Sequence, residues 1–172
     1  METINCIKSR RSTRQFKDTP VSKEIIDEIL DCGMHAPSGC NTQPWSFIVV
    51  KEKETLKSLS KVTKYGSFVE QAPVCIVACM THEAIDLKPS AYMSVACAVE
   101  NMLLCIEDHG LGSCWTYIKD FDNPKPEEET RKLLNIPEDV EVICMLPIGY
   151  TDQKPKEKIL KKMEDIVHEV AW

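Results

Sequence analysis

The sequence predicts a single α+β domain, a sheet covered by helices, across residues 1–172. Three observations support this fold class. Hydrophobic residues make up 43% of the chain and charged residues 28%, which is a globular composition. Some segments repeat their apolar residues with a helical period, whereas others are apolar runs of strand length. No internal repeat and no Gly/Ser-rich or Pro-rich linker divides the chain, so we expect one hydrophobic core.

Two helices are predicted in the first part of the chain. A short helix lies around Ile4 to Lys8, just before a cluster of arginines. The second helix begins after Ser22, whose side chain suits an N-cap, and ends at Gly33. Its apolar residues recur on one helical face, namely Ile25, Ile26, Ile29 and Leu30.

The next segments predict a loop, a strand, a helix and a second strand. Residues 37–44, PSGCNTQP, are dense in turn formers, and the proline at each end opposes both helix and ladder. WSFIVV at 45–50 predicts a strand, and the apolar spacing of 53–62 predicts a helix. VCIVACM at 74–80 is too short for a typical helix and predicts a central strand.

The second half of the chain predicts two more helices and a strand. The longest helix is capped near Ser90, ends at Gly110 and is apolar on most of its circumference, as expected of a domain centre or a subunit interface. PEEETRKLLNI predicts a helix with its acids in the first turn, where the helix dipole favours them. VEVICMLPIGY predicts a strand that ends at Pro147 and Gly149.

Charge and composition exclude several classes of function. The net charge of −6 opposes general binding to nucleic acid or membrane, because phosphate contacts need a broad basic surface. The first ten residues, METINCIKSR, contain no apolar leader, and the longest apolar runs fall short of a membrane span. We therefore expect a cytoplasmic protein that binds neither nucleic acid nor membrane.

The nine cysteines predict buried thiols and no disulfide framework. Their number is odd, and five of them lie among apolar residues, namely Cys75, Cys79, Cys97, Cys105 and Cys144. The paired spacing of zinc or iron–sulfur sites is absent from the sequence. Cys32, His35 and Cys40 could converge on a metal, but no fourth ligand is evident nearby.

The arginines of RRSTRQF, residues 10–16, raise the question of a phosphate ligand. The glycine-rich phosphate loops are missing, so side chains would have to hold a phosphate group. Arg10, Arg11 and Arg14 offer guanidinium groups that bind phosphate oxygens in pairs, and Ser12 adds a hydroxyl. From these residues alone a solvated basic turn that pairs with surface acids is the slightly better explanation, because surface charge runs are common.

GSCW at 112–115 overlaps the nucleophile motif of papain-like proteases. In that class the cysteine lies near the start of the mature chain, and the histidine follows far downstream. Only His168 follows Cys114 here, so a thiol protease is not expected. We interpret the glycines as allowing the backbone to pass close to a flat group, with Trp115 packed behind.

Four motifs together resemble the nitroreductase family of FMN-dependent NAD(P)H oxidoreductases: RRSTRQF, APSGCNTQPWSFIVV, GLGSCW and PIGY. Their order and spacing agree from about Ile4 to Tyr150, and the ending MEDIVHEVAW is also similar. The resemblance implies an α+β fold with a central, mostly antiparallel sheet flanked by helices. It also implies a homodimer with exchanged tails, in which two FMN sites lie at the interface.

The resemblance assigns cofactor contacts residue by residue. It places Arg10, Arg11 and Ser12 at the phosphate and ribityl chain of FMN, and Arg14 near the pyrimidine side of the ring as an electrostatic tuner. The loop residues expected to meet the ring from the other subunit are Pro37, Ser38, Gly39, Asn41 and Gln43. The backbone expected beside the ring is that of Gly112 and Ser113.

The C-terminal arm, residues 151–172, is expected to pack on the partner subunit. Within QKPKEK the resemblance favours Lys156 and Lys158 as phosphate ligands. The family's tails often run extended over the partner. The apolar residues of this arm instead recur with a helical period, namely Ile159, Met163, Ile166 and Val170, so both conformations stay open.

The chemistry implied by the resemblance is hydride transfer from NADH or NADPH through flavin N5 to nitroaromatic, quinone or related acceptors, with ping-pong kinetics. The segments that could cover the ring, 81–90 and 116–126, are short, so we expect an open pocket. Two alternatives remain: a reductive dehalogenase or flavin-oxidising enzyme on the same fold, and a non-catalytic protein that stores FMN. No metal is expected.

Overall fold

The computed structural model describes residues 2–81 and 88–172. Within these residues the chain forms five α-helices and five β-strands. In chain order they are α1 (Thr3–Ser9), α2 (Lys23–Met34), β1 (Trp45–Val50), α3 (Lys53–Leu59), β2 (Val74–Met80), α4 (Lys88–Asp108), β3 (Gly112–Ser113), β4 (Thr116–Tyr117), α5 (Lys125–Leu134) and β5 (Glu141–Gly149).

The strands form one antiparallel sheet with β2 and β5 at its centre. The order is β1-β2-β5-β3, and β4 also pairs with β5. Trp45 lies opposite Met80 in the β1–β2 pair, and Val74 lies opposite Ile148 in the β2–β5 pair. Every residue of β2 and β5 is buried, because helices cover both faces of the sheet. The predicted α+β fold with an antiparallel central sheet is confirmed.

The alternation of side chains along β2 divides the core in two. Ile76 and its even-numbered neighbours pack against α2 and α4, and Val77 and its odd-numbered neighbours pack against α3. The α2 prediction is confirmed, since the Ser22 hydroxyl accepts a hydrogen bond from Ile25 N (3.4 Å) and Ile26 and Ile29 are buried. Two layers of helix thus enclose the sheet.

Several predicted boundaries were wrong. Helix α3 ends at Leu59, short of residue 62, because the Ser60 hydroxyl donates to the carbonyl of Lys57 (2.8 Å) and competes with the helical ladder. Within the described residues α4 already includes Lys88, so Ser90 lies inside the helix instead of capping it. Residues 82–87, part of the predicted covering segment 81–90, lie outside the described residues.

Pro147 does not end β5, which continues to Gly149. On one side Pro147 lies opposite Cys75 of β2. On its other side β5 pairs with β3 through Ile148 and with β4 through Met145, and Pro147 lies between these two residues. Residues 114–115, between β3 and β4, do not pair with β5, so the missing N–H of proline is tolerated in a central strand.

Helix α4 has a membrane-like composition but is the central helix of the domain. Its segment Pro89–Asp108 has a mean hydropathy of 1.3 and is long enough to cross a bilayer. Its side chains at Val95, Val99 and Met102 are fully buried against the sheet and α2. Packing within the core therefore accounts for its apolar character.

The cysteines are free thiols. Cys75, Cys79, Cys105 and Cys144 are buried as predicted, whereas Cys97 is exposed on α4. Burial raises the pKa of Cys75 to about 12, so this group stays a neutral thiol. Among residues 2–81 and 88–172, no group of three or more His, Cys, Asp and Glu residues is arranged to hold a metal ion.

A buried charge network fastens α5 to the sheet. Lys119 Nζ lies 2.7 Å from both Glu127 Oε2 and Glu141 Oε2. Arg131 Nη2 donates to Glu127 Oε1 (3.0 Å), and the backbone N of Val142 donates to the same oxygen (3.1 Å). The side chain of Glu127 is only 8% exposed, so its two oxygens are satisfied by protein donors.

We predict that Glu127→Ala lowers the free energy of unfolding by about 2–4 kcal/mol, because it leaves the Val142 N–H unpaired and two cations without their shared partner. Urea denaturation measures the change. Glu128→Ala, an exposed neighbour, is the control and should change stability by less than about 0.5 kcal/mol. Equal effects of the two substitutions would show that the network does not stabilise the fold.

Candidate functional site

The arginine segment, residues 10–16, is held against strand β3 by its backbone. Thr13 N donates to the carbonyl of Ser113 (2.8 Å), and Ser12 forms a parallel bridge with Ser113. Thr13 is buried, whereas Arg14 beside it is exposed. The fixed backbone at Thr13 therefore sets the directions from which the flanking arginines reach the surface.

Gly112 makes this close approach possible. A Cβ atom at Gly112 would lie 2.6 Å from Thr13 Cγ2, which is too close for real atoms. The open side of Gly112 thus faces Thr13, which accounts for a glycine at this position, and the expected place of its backbone beside a flat group stays a prediction. Gly110 ends α4 in the left-handed region, with φ +69°.

A cavity of about 530 Å³ lies between the arginine segment and the start of the C-terminal arm. We call it the cationic cavity, and its lining residues are Arg10, Arg11, Ser12, Arg14, Gln15, Gln153, Lys156, Glu157 and Lys158. Five of these nine residues are basic and one is acidic. The structure thus brings the predicted phosphate ligands of both chain ends together in one place.

Arg10 and Arg11 are engaged differently. Arg10 Nε lies 3.5 Å from Glu100 Oε1, a carboxylate that is about half exposed. Arg11 Nε donates to the carbonyl of Lys156 (2.9 Å), and its Nη1 donates to the carbonyl of Lys8 (2.7 Å) at the end of α1. Arg11 therefore joins the first helix to the C-terminal arm, a role that the sequence did not predict.

Gln153 is a second residue that sequence reasoning missed. Its Oε1 accepts from Arg14 N (2.8 Å), and its Nε2 donates to the carbonyl of Ser12 (3.2 Å). Thr151 Oγ1 donates to the carbonyl of Gln15 (2.7 Å) in the same region. The first residues of the arm are thus hydrogen-bonded to the arginine segment. No local sequence motif identifies Gln153, because its partners are backbone atoms far away in the sequence.

A second cavity, of about 400 Å³, adjoins the first. We call it the aromatic cavity, and it is lined by Arg14, Tyr65, Ser67, Phe68, Cys114, Trp115, Thr116 and Tyr117. Arg14 lines both cavities, and its Cζ lies 5.8 Å from the centre of the Phe68 ring. The aromatic residues of 65–68 were not predicted, because nothing in the sequence places them opposite Trp115.

Cys114 is unsuited to nucleophilic chemistry. It is 3% exposed, and burial raises the pKa of its thiol, although Arg14 opposes the shift. The expectation that GSCW is not a protease motif agrees with this environment. Ser113, predicted beside the cofactor, is also buried, and its Oγ has no hydrogen-bond partner among the described residues.

The loop at 37–43 does not line either cavity. The Ser38 hydroxyl accepts from Gln43 N (3.1 Å), and Gly39 lies against Ser90 of α4. Asn41 and Gln43 have φ of 56° and 46°, in the left-handed region. The predicted contacts of Pro37, Ser38, Gly39, Asn41 and Gln43 with a ring are thus not made within one chain.

The C-terminal arm is extended and exposed. After β5 it contains only a short 3₁₀ turn at Met163–Asp165 among its described elements, so its helical period does not produce an α-helix. Its apolar side chains project into solvent: Ile159, Leu160, Met163, Ile166, Val167, Val170 and Trp172. With no surface of the same chain beneath them, these side chains have nothing to pack on as a helix would require.

The two cavities that share Arg14 offer groups that suit the two ends of FMN. The cationic cavity offers guanidinium, ammonium and hydroxyl donors that suit a phosphate dianion. The aromatic cavity offers planar side chains that suit a flat ring. A larger cavity, of about 730 Å³, contains none of the predicted site residues and mixes lysines with acids.

Comparisons with known proteins show the family to which the chain belongs. A protein of Methanothermobacter thermautotrophicus, provisionally named an NADH dehydrogenase/NAD(P)H nitroreductase, is 34% identical over 172 residues, which cover 100% of this chain and 88% of that protein. An FMN-dependent nitroreductase structure from Clostridium difficile R20291 has a TM-score of 0.83 and 32% identity, with 98% of this chain and 99% of that chain covered.

A structure from Parabacteroides distasonis, also provisionally named an NADH dehydrogenase/NAD(P)H nitroreductase, has a TM-score of 0.91 and 30% identity, with 100% and 99% coverage. The model of the Nitroreductase family matches residues 7–65 and 56–150. The chain therefore belongs to the nitroreductase family.

Proposed function

We propose that the protein is an FMN-dependent oxidoreductase that transfers hydride from NADH or NADPH to nitroaromatic, quinone or related small acceptors. The observation that carries this proposal is the cationic cavity joined through Arg14 to the aromatic cavity, in a chain of the nitroreductase family. When bound, FMN supplies the redox chemistry by taking hydride at N5 and reducing the acceptor. The protein's residues bind, orient and tune it.

The cationic cavity would hold the phosphate. Arg10 is the best placed anchor, because its single described carboxylate partner, Glu100, lies at 3.5 Å and is half exposed. Lys156 and Lys158 add positive charge from the arm, and Ser12 adds a hydroxyl. Arg11 contributes charge to the same cavity, while its Nε and Nη1 hold the backbone carbonyls that shape it.

Arg14 would act on the ring. It lies where the two cavities meet, so a ring in the aromatic cavity and a phosphate in the cationic cavity would place Arg14 beside the part of the ring nearest the ribityl chain. A fixed cation there favours the negative charge that the flavin gains on reduction. Arg14 would therefore raise the reduction potential of the bound cofactor.

One ring cavity would serve both the donor and the acceptor. Tyr65 is 65% exposed and Tyr117 is 49% exposed, so the cavity is open at this edge. A donor and an acceptor that stack on the same ring face must use the site in turn, which gives ping-pong kinetics. The open edge also suits flat acceptors of several kinds.

We further propose a homodimer in which each arm packs on the partner subunit and each 37–43 loop completes the partner's ring site. The arm exposes seven large apolar side chains, which is costly in water unless another surface covers them. Met93 and Cys97 are exposed on α4, and Ile4 and Ile7 are exposed on α1, so an apolar surface is available for a partner. The 37–43 loop lines neither cavity of its own chain, which supports its residues as contacts made across the interface, namely Pro37, Ser38, Gly39, Asn41 and Gln43.

The arm is tested by the double substitution Ile166→Asp and Val170→Asp. We predict that it raises the dimer dissociation constant at least a hundredfold. Four apolar side chains per dimer would be replaced by carboxylates, and the apolar contacts that they make with the partner subunit would be lost. Light scattering across a dilution series measures the constant. The control is Lys161→Ala with Lys162→Ala on the same arm, which should remain dimeric. The proposal would be contradicted by a wild type that is monomeric, or by a double variant whose dimer dissociation constant equals that of the wild type.

Arg10→Ala should yield protein with little bound FMN, because charge-assisted phosphate contacts in a partly desolvated site are strong. We expect at least a tenfold loss of FMN affinity. Glu100→Gln removes the ion pair of Arg10 and keeps its guanidinium, so this control should bind FMN as well as the wild type. If Arg10→Ala is isolated with a full complement of FMN, the phosphate assignment is wrong.

The proposed activity is tested by anaerobic reduction. NADH or NADPH should remove the visible absorbance of the bound flavin, and a nitroaromatic or quinone should restore it. Arg14→Ala should slow the reduction of the flavin about tenfold and lower its reduction potential. Arg14→Lys keeps a positive charge, so it should change both the rate and the potential less.

The other outcomes separate the alternatives. A wild type that binds FMN but does not bleach is a flavin store. Reoxidation only by a halogenated aromatic identifies a dehalogenase, and loss of the flavin spectrum during aerobic turnover identifies destruction of the flavin. An unchanged potential in Arg14→Ala removes Arg14 from its tuning role.

A further inference from the structure

A third cavity borders the aromatic cavity and has no arginine in its lining. It has a volume of about 270 Å³ and shares Tyr65 and Tyr117 with the aromatic cavity. We call it the lysine cavity, and its lining residues are Lys61, Val62, Thr63, Lys64, Tyr65, Tyr117, Ile118, Asp120, Asn123, Lys125, Pro126 and Glu129. The three cavities thus form a series with the aromatic cavity in the middle.

The lysine cavity holds two cations that are available to a ligand. Lys61 and Lys64 are exposed, and neither has a carboxylate within 4.0 Å among the parts of the chain that the structure describes. Lys64 Nζ lies 4.9 Å from the centre of the Tyr65 ring, which directs it along the wall shared with the aromatic cavity. Lys125, by contrast, is 3.7 Å from Glu129 Oε1.

The charges of this cavity favour an anion. Three lysines and two acids line it, and one of those acids is already paired with Lys125. Thr63 and Tyr117 contribute hydroxyl groups, which can donate to phosphate oxygens. The whole chain has a net charge of −6, whereas the lining of this cavity has one more lysine than acids.

The phosphate of FMN cannot account for these lysines. Its predicted ligands line the cationic cavity, which meets the aromatic cavity at Arg14, whereas the lysine cavity meets it at Tyr65 and Tyr117. A ligand that reaches the lysine cavity would extend outward from the open edge of the ring site. A dinucleotide has this shape, with a flat nicotinamide at one end and phosphate groups further along.

We propose that the lysine cavity binds the phosphate groups of the nicotinamide dinucleotide donor, with Lys61 and Lys64 as its specificity-determining cations. This inference rests on the proposed function, because it places the nicotinamide in the aromatic cavity. The diphosphate is common to NADH and NADPH, and the ribose 2′-phosphate is present only in NADPH. A preference for one donor would show which of these groups the lysines bind.

The test compares Lys61→Gln/Lys64→Gln with a control of equal charge change, Lys51→Gln/Lys57→Gln, whose lysines line the separate cavity of about 730 Å³. Adenosine 2′,5′-bisphosphate is titrated into each FMN-loaded protein by calorimetry. We expect at least tenfold weaker binding to the first variant and no change in the control. Rising salt should weaken wild-type binding.

Steady-state kinetics with both donors completes the test. A larger KM for NADPH alone in Lys61→Gln/Lys64→Gln supports 2′-phosphate binding, and a larger KM for both donors supports diphosphate binding. Equal bisphosphate affinity and equal KM values in this variant and the wild type overturn the inference while the proposed function stands.

A change in KM that is confined to carboxylated nitroaromatic acceptors would show that the lysines bind the acceptor, and it also overturns the inference. A wild type that no donor reduces defeats the proposed function and this inference with it.

Discussion

The site depends on the close approach of Thr13 to Gly112. Because Gly112 has no Cβ, the backbone of the arginine segment can pair with β3, and Thr13 N bonds the Ser113 carbonyl at 2.8 Å. β3 is in turn hydrogen-bonded to the central strand β5. The arginine segment is therefore fixed, through β3, to a strand whose residues are all buried, so the backbone that carries its guanidinium groups is positioned before any ligand arrives. Such preorganisation reduces the entropy lost on binding.

The same constraint explains how one short segment reaches three parts of the molecule. Arg10 lies beside α4 through Glu100, Arg11 holds the carbonyls of α1 and of the arm, and Arg14 stands between the two cavities. Gln153 closes the arrangement from the other end of the chain by bonding the backbone on both sides of Thr13. The repulsion among three arginines is tolerable because one of them has a structural role and an anion can neutralise the others.

Local rules predicted the parts of this fold that local forces determine. The cap at Ser22, the apolar run of β2 and the acidic first turn of α5 each follow from a few neighbouring residues. Pro147 shows where distant contacts decide: the strand continues through it to the predicted end at Gly149, because the neighbouring ladder is interrupted beside it. The arginines were visible in the sequence, but their hydrogen bonds to the C-terminal arm were not, because the arm lies about 140 positions away.

The aromatic residues 65–68 and Gln153 could not be predicted as site residues from the sequence. Tyr65 and Phe68 become walls of a cavity only when the sheet brings them opposite Trp115, and the amide of Gln153 is chemically ordinary until it meets two backbone groups. The apolar arm shows the reverse case. Its period is helical, yet the described chain offers no surface to bury that face, so the extended conformation prevails.

The central claim is that the arginine segment exists to bind a phosphate attached to a flavin. The most direct measurement is the equilibrium affinity of the cofactor-free protein for FMN and for riboflavin, which has the same ring and ribityl chain but no phosphate. We predict that FMN binds at least a hundredfold more tightly, since several charge-assisted hydrogen bonds are lost with the phosphate. Equal affinities for the two flavins would contradict the claim.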